Sequence, residues 1–370
     1  MPQHPAPVYQ YSQLTADAQN ALVGGGILTG QIATFNGELI PDLEERVAGL
    51  TGRAQALAVD SGSSALRMAM RGLEIRAGQE VIIPEIGWVS IGAAADMLGA
   101  TVRIAPATES LTPTWAEIAP LIGPDTAAVV LVHLRGRPAP GTAEIARHLT
   151  DLGIPLIEDC AQAWGVEAEG RPAGCWGTLA TFSTHSMKII ATGEGGLVVG
   201  DDPDMMALMR AIAGDTRQRT PRAVWRSKAR MTELAAGLAL PQVEHLPVLV
   251  EDLRALQREV HLQLAALEGL QLVPGSTEPT GNGSLVGVRA LDPATAARIS
   301  GALFQHGYRS WWPGPGDLHT AEAWPVQPER QLADHRTYFD IQIPWLPADT
   351  HKQWACTLAD LIQQSLESGR

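Results

Sequence analysis

The chain is short of cysteine, of tyrosine and phenylalanine, and of long apolar runs, and each shortage excludes a class of protein. Its three cysteines, Cys160, Cys175 and Cys356, are an odd number with no CxxC spacing. That count argues against a disulfide framework and against a thiolate zinc site, and leaves buried or inert thiols. No apolar stretch approaches the ~18 residues of a membrane span. Met1-Pro2-Gln3-His4 has neither the basic start nor the apolar core of a secretory signal, so the expectation is a cytoplasmic protein away from membranes. Blocks of five or more Lys/Arg are missing too, and 27 basic against 40 acidic side chains leave a formal charge of -13. Non-specific nucleic-acid binding, which depends on neutralising phosphates, is therefore excluded, and any anionic ligand must be held by local chemistry. What remains is a 370-residue chain, 45% hydrophobic, long enough for two or three domains or for one large domain with a smaller one attached. The 37 glycines and 26 prolines are scattered as loop punctuation, and ten tryptophans outnumber four tyrosines and four phenylalanines.

From about residue 55 to 200, short apolar β-rich runs alternate with Ala/Leu-rich helical stretches, the pattern of a parallel sheet wrapped by helices. Strands are expected at Val81 to Pro84, Ala128 to His133, Ile154 to Asp159 and Gly196 to Gly200, each delivering polar residues at its carboxyl end. Open α/β sheets collect ligands at that end. Ser64 to Gly72 and Gly141 to Leu152 read as helices. After Asp201 the texture changes: a basic loop from Asp215 to Arg230, a long amphipathic helix from Glu244 to Leu270, a Pro/Gly/Trp segment around Trp311-Trp312 and a terminal helix from Thr350 to Ser368. The expected organisation is a large α/β domain over 1–245 with an N-terminal arm, and a smaller α+β domain over 246–370 entered through the long helix.

Four fragments on consecutive loops carry the chemistry. Asp60-Ser61-Gly62-Ser63-Ser64 is a small-residue turn opening a helix, whose N–H groups, hydroxyls and dipole suit a phosphate; an ordinary N-cap reads the same way. Trp88, just past a strand end, can lie flat on a ring or simply fill core. Asp159, where an apolar strand ends, can hold a pyridinium nitrogen protonated or form a plain salt bridge. Lys188, among small and apolar neighbours, has its ammonium disfavoured and its amine freed for a Schiff base, unless it snorkels to solvent. The order of phosphate turn, ring stacker, ring-nitrogen acid and Schiff-base lysine gives the four together a meaning that none has alone.

These residues resemble the DegT/DnrJ/EryC1/StrS aminotransferases, fold-type I enzymes that use pyridoxal 5'-phosphate. The likeness runs through Ser61 to Leu66, Gly78 to Pro84, Val132-His133-Leu134-Arg135-Gly136, Ile157 to Ala163, Phe182-Ser183, Lys188 with Gly193 to Gly196, and Arg230 to Glu233, and thins beyond residue 270 to His319 and Ile343 to Pro347. It implies that Lys188 is the Schiff-base lysine and proton shuttle, that Asp159 pairs with the pyridine nitrogen and that Gln162 meets the ring's phenolic oxygen. It further implies that Trp88 stacks on the cofactor, that Ser63, Ser64 and Ser183 hold its phosphate, and that the protein is a homodimer with shared sites. The reaction implied moves nitrogen from glutamate or glutamine to a ketone.

The chain departs from the pattern in places. Lys228 stands where the family has an asparagine reaching the partner's cofactor phosphate, a role a cation can keep. The loop before it is basic, with Arg217, Arg219, Arg222 and Arg226. Trp164 replaces a histidine or small residue, and an acidic residue is missing near Ile104. Dehydratase relatives replace the lysine with histidine and some carry an iron–sulfur cluster; here the lysine is intact, three cysteines cannot supply four ligands, and no metal is expected. The first expectation for the substrate is a keto-sugar, nucleotide-linked, in amino-sugar biosynthesis for a glycan or natural product, with His185, His319, Trp311 and Trp312 as substrate contacts. A keto-cyclitol of aminoglycoside-type antibiotic biosynthesis is the alternative suggested by the run from Ser183 to Lys188. A non-catalytic PLP- or sugar-binding regulator is the third reading.

Overall fold

The computed structural model describes residues 37–215, 226–273, 280–314, 317, 319 and 335–368. The N-terminal arm through residue 36 and three members of the basic loop, Arg217, Arg219 and Arg222, lie outside the described residues.

The larger sheet is built in chain order from α1 (Leu39–Thr51), β1 (Gln55–Val59), α2 (Gly62–Gly72), β2 (Glu80–Pro84), α3 (Ser90–Asp96), β3 (Thr101–Ala105), β4 (Thr126–Val132), α4 (Thr142–Asp151), β5 (Leu156–Asp159), β6 (Leu179–Ser183), β7 (Gly196–Gly200) and α5 (Pro203–Ala213). Its strand order is β1-β7-β6-β5-β4-β2-β3, with β7 alone antiparallel to its neighbours. Helices cover both faces, which is why β4, Thr-Ala-Ala-Val-Val-Leu-Val, reads as a continuous apolar run and is buried over its last five residues. One expectation needs correcting. Because β7 runs the other way, its carboxyl end points away from the loops that gather Asp60, Asp159 and Ser183, and it is the residues before it, Glu194 and Gly195, that approach them.

The second half opens with α6 (Glu233–Leu264), capped by the Thr232 hydroxyl, which accepts from Ala235 N at 3.2 Å. Helix α6 begins eleven residues before the expected Glu244 and ends six before the expected Leu270, with Pro241 as well as Pro247 inside it. An interior proline removes a hydrogen bond and costs about 3 kcal/mol, but Leu240, Val243, Leu246, Val250, Leu253, Leu256 and Val260 form a buried seam that holds the helix through both. Beyond it come β8 (Leu270–Leu272), β9 (Leu285–Ala290), α7 (Pro293–Gln305), β10 (Ser310–Trp311), β11 (Tyr338–Gln342) and α8 (His351–Glu367). The four strands form an antiparallel sheet of order β8-β9-β11-β10. The architecture is α/β with a mainly parallel sheet, followed by a smaller α+β unit.

Between β5 and its neighbours sits a fully buried carboxylate. Glu158 accepts from Trp176 N (2.7 Å), Gly177 N (2.6 Å) and Gly174 N (2.9 Å). His133 Nδ1 accepts from Ala139 N at 3.0 Å, which puts the ring proton on Nε2, and that N–H donates to Glu158 Oε2 at 2.9 Å. Burial pushes the Glu158 pKa up, but these donors outweigh it and hold the carboxyl below its ordinary value. Cys160 completes a trio of ligand-type side chains within 4.8 Å, with burial driving its thiol pKa well up; in the trio both His133 nitrogens and both Glu158 oxygens already have partners. The substitution Glu158→Ala strands three N–H groups and the His133 proton, and is expected to cost about 3 kcal/mol or more of stability. Urea unfolding reads this as a lower midpoint, and an unchanged midpoint refutes the assignment.

Candidate active site

A cavity of about 550 Å³ opens at the carboxyl ends of the parallel strands and is walled on its far side by the smaller sheet. One part of its lining is the β1–α2 turn. Ser61 caps α2 by accepting from Ser64 N at 3.1 Å, and Ser61, Gly62 and Ser63 face the cavity. A Cβ on Gly62 would come within 2.8 Å of the Ser183 Cβ, so only glycine lets this turn close against the end of β6. Ser183, which also lines the cavity, completes that corner. Ser64 does not line it: its hydroxyl accepts from Ser61 Oγ (3.1 Å) and Arg67 Nη2 (3.0 Å), and the side chain is buried.

The floor carries the two reactive groups. Asp159 ends β5 with one carboxylate oxygen accepting from Ala161 N at 2.9 Å, and burial raises its pKa against the pull of that N–H and of Lys188. Lys188 follows the tight turn in which Lys188 N donates to His185 O at 2.9 Å. Loss of hydration lowers its pKa from 10.5 to about 8; Asp159 opposes this and Arg135 adds to it. Gln162 uses Oε1 to accept from Arg135 N at 2.8 Å, leaving its amide N–H groups as donors beside Asp159. Trp88, 45% exposed, stands at the mouth.

Trp88, Asp159, Gln162, Ser63, Ser183, Lys188, His185, Trp311 and His319 are thus brought together, and Ser64, Lys228 and Trp312 are not. Trp312 points away, donating through Nε1 to Arg336 O at 2.7 Å and packing on the core. Lys228 is exposed, with a left-handed backbone (φ 52) near Gly214. Trp164, a departure from the family pattern, is core: it tilts against Phe182 and donates to Ser183 O at 2.8 Å, bracing β6 from behind. His319 sits between Trp88 (centroids 4.8 Å apart, tilted) and Trp311 (5.2 Å, edge-on), tethered by Asp317, which accepts from His319 N at 2.8 Å and from Trp311 Nε1 at 2.9 Å. Sequence reasoning left out Arg135 and Asn282. Arg135 lies within the quoted Val132 to Gly136 motif and reaches the cavity; buried Asn282 ties Gln162 O and Trp164 O to the smaller unit at 3.0 Å each.

The profile of the DegT/DnrJ/EryC1/StrS aminotransferases matches residues 16–298. The chain belongs to that family. The aminotransferase is 30% identical over 332 residues, 88% of each chain, to the UDP-N-acetyl-3-dehydro-alpha-D-glucosamine 3-aminotransferase of Acidithiobacillus ferrooxidans. It is 34% identical over 281 residues, 67% of this chain and 65% of the other, to the L-glutamine:2-deoxy-scyllo-inosose aminotransferase of Micromonospora echinospora. Among solved structures it resembles DesI, determined in the presence of its TDP-sugar product, with a TM-score of 0.79 and 25% identity over 97% of this chain and 92% of that one. The fold is that of the fold-type I transferases and the cofactor is pyridoxal phosphate. The cavity suits it, offering a glycine-dependent corner of hydroxyls and N–H groups, a buried carboxylate and a desolvated amine.

The aminotransferase has three lysines, Lys188, Lys228 and Lys352, so each can be followed separately. Competitive acylation of the cofactor-free protein, read peptide by peptide against pH, is expected to give Lys188 half-maximal reactivity near pH 8, since only the unprotonated amine reacts. A midpoint at the ordinary 10.5 refutes the desolvated environment.

Proposed function

We propose that this aminotransferase moves an amino group from glutamate or glutamine to a keto-sugar, nucleotide-linked, in the making of an amino sugar for a glycan or natural product. The observation that carries the reading is the convergence, in one cavity, of a lysine with its pKa lowered to about 8, a buried aspartate and a serine-lined helix start. The substrate class rests on relatives that act on a UDP-linked keto-sugar or bind a TDP-sugar product. A keto-cyclitol remains the second reading because of the inosose aminotransferase relative. The non-catalytic regulator gives way to the enzyme.

When bound, pyridoxal phosphate supplies an electron sink and carries the nitrogen between the two substrates. Ser63 and Ser183, with the N–H groups at the start of α2, would hold its phosphate, Ser64 shaping that corner through the cap. Asp159 would stay ionised beside the ring nitrogen, since a cationic partner offsets the cost of its burial. Gln162 would donate to the phenolic oxygen and Trp88 would stack on the ring face. Lys188 Nζ, unprotonated in a useful fraction near neutral pH, takes the proton from the donor's α-carbon and returns one to the acceptor carbon. His185, His319 and Trp311 would face the substrate; Trp312 packs behind it.

We place the division of the chain near residue 245, inside α6, with a sheet on either side of that helix. A homodimer is also proposed, with Lys228 meeting the partner's cofactor phosphate, a reading supported by its exposure outside its own cavity. A cytoplasmic location agrees with the sequence, and among the described residues no helix is long and apolar enough to cross a membrane.

Incubation with pyridoxal phosphate should give a visible absorption band that L-glutamate or L-glutamine bleaches. Lys188→Ala should abolish the band and lower turnover by about 10³-fold or more. A protein that stays colourless sinks the reading. A panel of keto-sugar nucleotides against 2-deoxy-scyllo-inosose decides the acceptor, and turnover of the inosose alone overturns the sugar. Lys228→Ala should weaken retention of the cofactor about tenfold on dialysis; undiminished retention removes Lys228 from the phosphate.

A further inference from the structure

The cavity holds a second buried cation that the cofactor does not account for. Arg135 lies on the turn after β4, its side chain more than nine-tenths buried, in the lining of the cavity. Its backbone is left-handed (φ 58, ψ 39), a conformation that costs a non-glycine residue about 1 kcal/mol and persists only where the surroundings enforce it. Here they do: Arg135 N donates to Gln162 Oε1 at 2.8 Å, and Asn282 N donates to the next carbonyl, Gly136 O, at 2.9 Å.

The guanidinium is fixed on two sides. Its carbon sits 3.9 Å from the centre of the Trp311 ring, and Nε lies 3.1 Å from Asp340 Oδ2. Asp340 is itself oriented, accepting from Trp311 N at 3.1 Å through its other oxygen. Nε pairs with that carboxylate by charge without a hydrogen bond, and Nη2 likewise is buried with no hydrogen-bond partner among the described residues. A buried N–H of a cation without an acceptor is costly, and such groups in native proteins call for an explanation. Stacking and the Asp340 pair lock the plane of the fork while leaving one edge to the cavity, and a planar fork of fixed orientation matches a carboxylate.

We propose that Arg135 is the carboxylate anchor of the substrate pocket. This rests on the aminotransferase reading above, which requires at least one carboxylate-bearing substrate: the amino-acid donor carries one on the very carbon that gives up nitrogen. Donor and acceptor use one cavity in turn, so a carboxylate on the acceptor could meet the same fork. The position agrees with either source, because Arg135 is close enough to Lys188 for its charge to help lower that amine's pKa.

The test compares the cofactor-loaded wild type with Arg135→Met, which keeps length and apolar contact with Trp311, and with Arg135→Lys. Glutarate, a dicarboxylate that cannot react, is titrated by calorimetry into each. Single-turnover bleaching by L-glutamate then reads the donor half, and recolouring by the keto compound that the wild type turns over reads the acceptor half. Arg135→Met should weaken glutarate binding by about 10- to 100-fold, with partial recovery in Arg135→Lys. The apparent affinity for glutamate should fall in step while the visible band persists. A fall confined to the acceptor half reassigns the carboxylate to the acceptor. Wild-type affinity for glutarate, glutamate and acceptor in Arg135→Met overturns the proposal. A wild type that L-glutamate and L-glutamine both fail to bleach instead overturns the aminotransferase reading. Should Arg135→Met not fold, Arg135→Gln carries the same comparison.

Discussion

The site depends on a carboxylate that never touches it. Glu158 draws three backbone N–H groups and the His133 ring onto one buried point. Through the 174–177 loop it fixes the edge of β6, and through His133, whose other nitrogen accepts from Ala139 N, it fixes the turn that follows β4. That turn carries Arg135, whose backbone N–H holds Gln162. The next residue along β5 is Asp159. One charge, satisfied entirely by protein donors, thereby sets the relative places of Asp159, Gln162 and Arg135. An uncompensated carboxylate at that depth would be costly, and the full set of donors is what makes it a structural asset.

Strand alternation decides which neighbours reach the chemistry. Successive side chains of a strand face opposite sides, so Glu158 enters the interior while Asp159 faces the cavity. In β6, Phe182 packs on Trp164 and Ser183 turns to the ligand side. In β10 the same rule separates Trp311, which faces Arg135 and His319, from Trp312 just beyond the strand, which turns to the core.

This explains what the sequence made legible. Asp159, Ser63 and Lys188 could be read because each stands in a telling local context: a strand end, a helix start, a lysine among small residues. Trp311 and Trp312 could not be told apart, because Pro313 and the glycines around it hide the strand period. The start of helix α6 was read too late because propensity penalises Pro241, whereas the helix's own buried leucines and valines, packed in the core, decide the matter. Arg135 escaped notice for a related reason. Its partners Trp311 and Asp340 come from the smaller unit more than a hundred residues later, as does Asn282, which holds the neighbouring Gly136, and nothing near Arg135 in the chain announces them.

The acidic chain and the cationic cavity are not in conflict. A net charge of -13 acts through solvent and is screened within about 8–10 Å at physiological salt, whereas Arg135 and Lys188 line one cavity, close enough for the charge of one to act on the pKa of the other. Two terms act on the Lys188 amine beyond its lost hydration: Asp159 raises its pKa and Arg135 lowers it. In the proposed mode of cofactor binding, Asp159 would pair with the ring nitrogen and its support of the amine would weaken. A carboxylate at Arg135 acts the other way, cancelling the repulsion and restoring basicity to the amine. The anchor proposed for the substrate would then also time the proton transfer, because Lys188 becomes the stronger base when the molecule whose carbon it must deprotonate is seated.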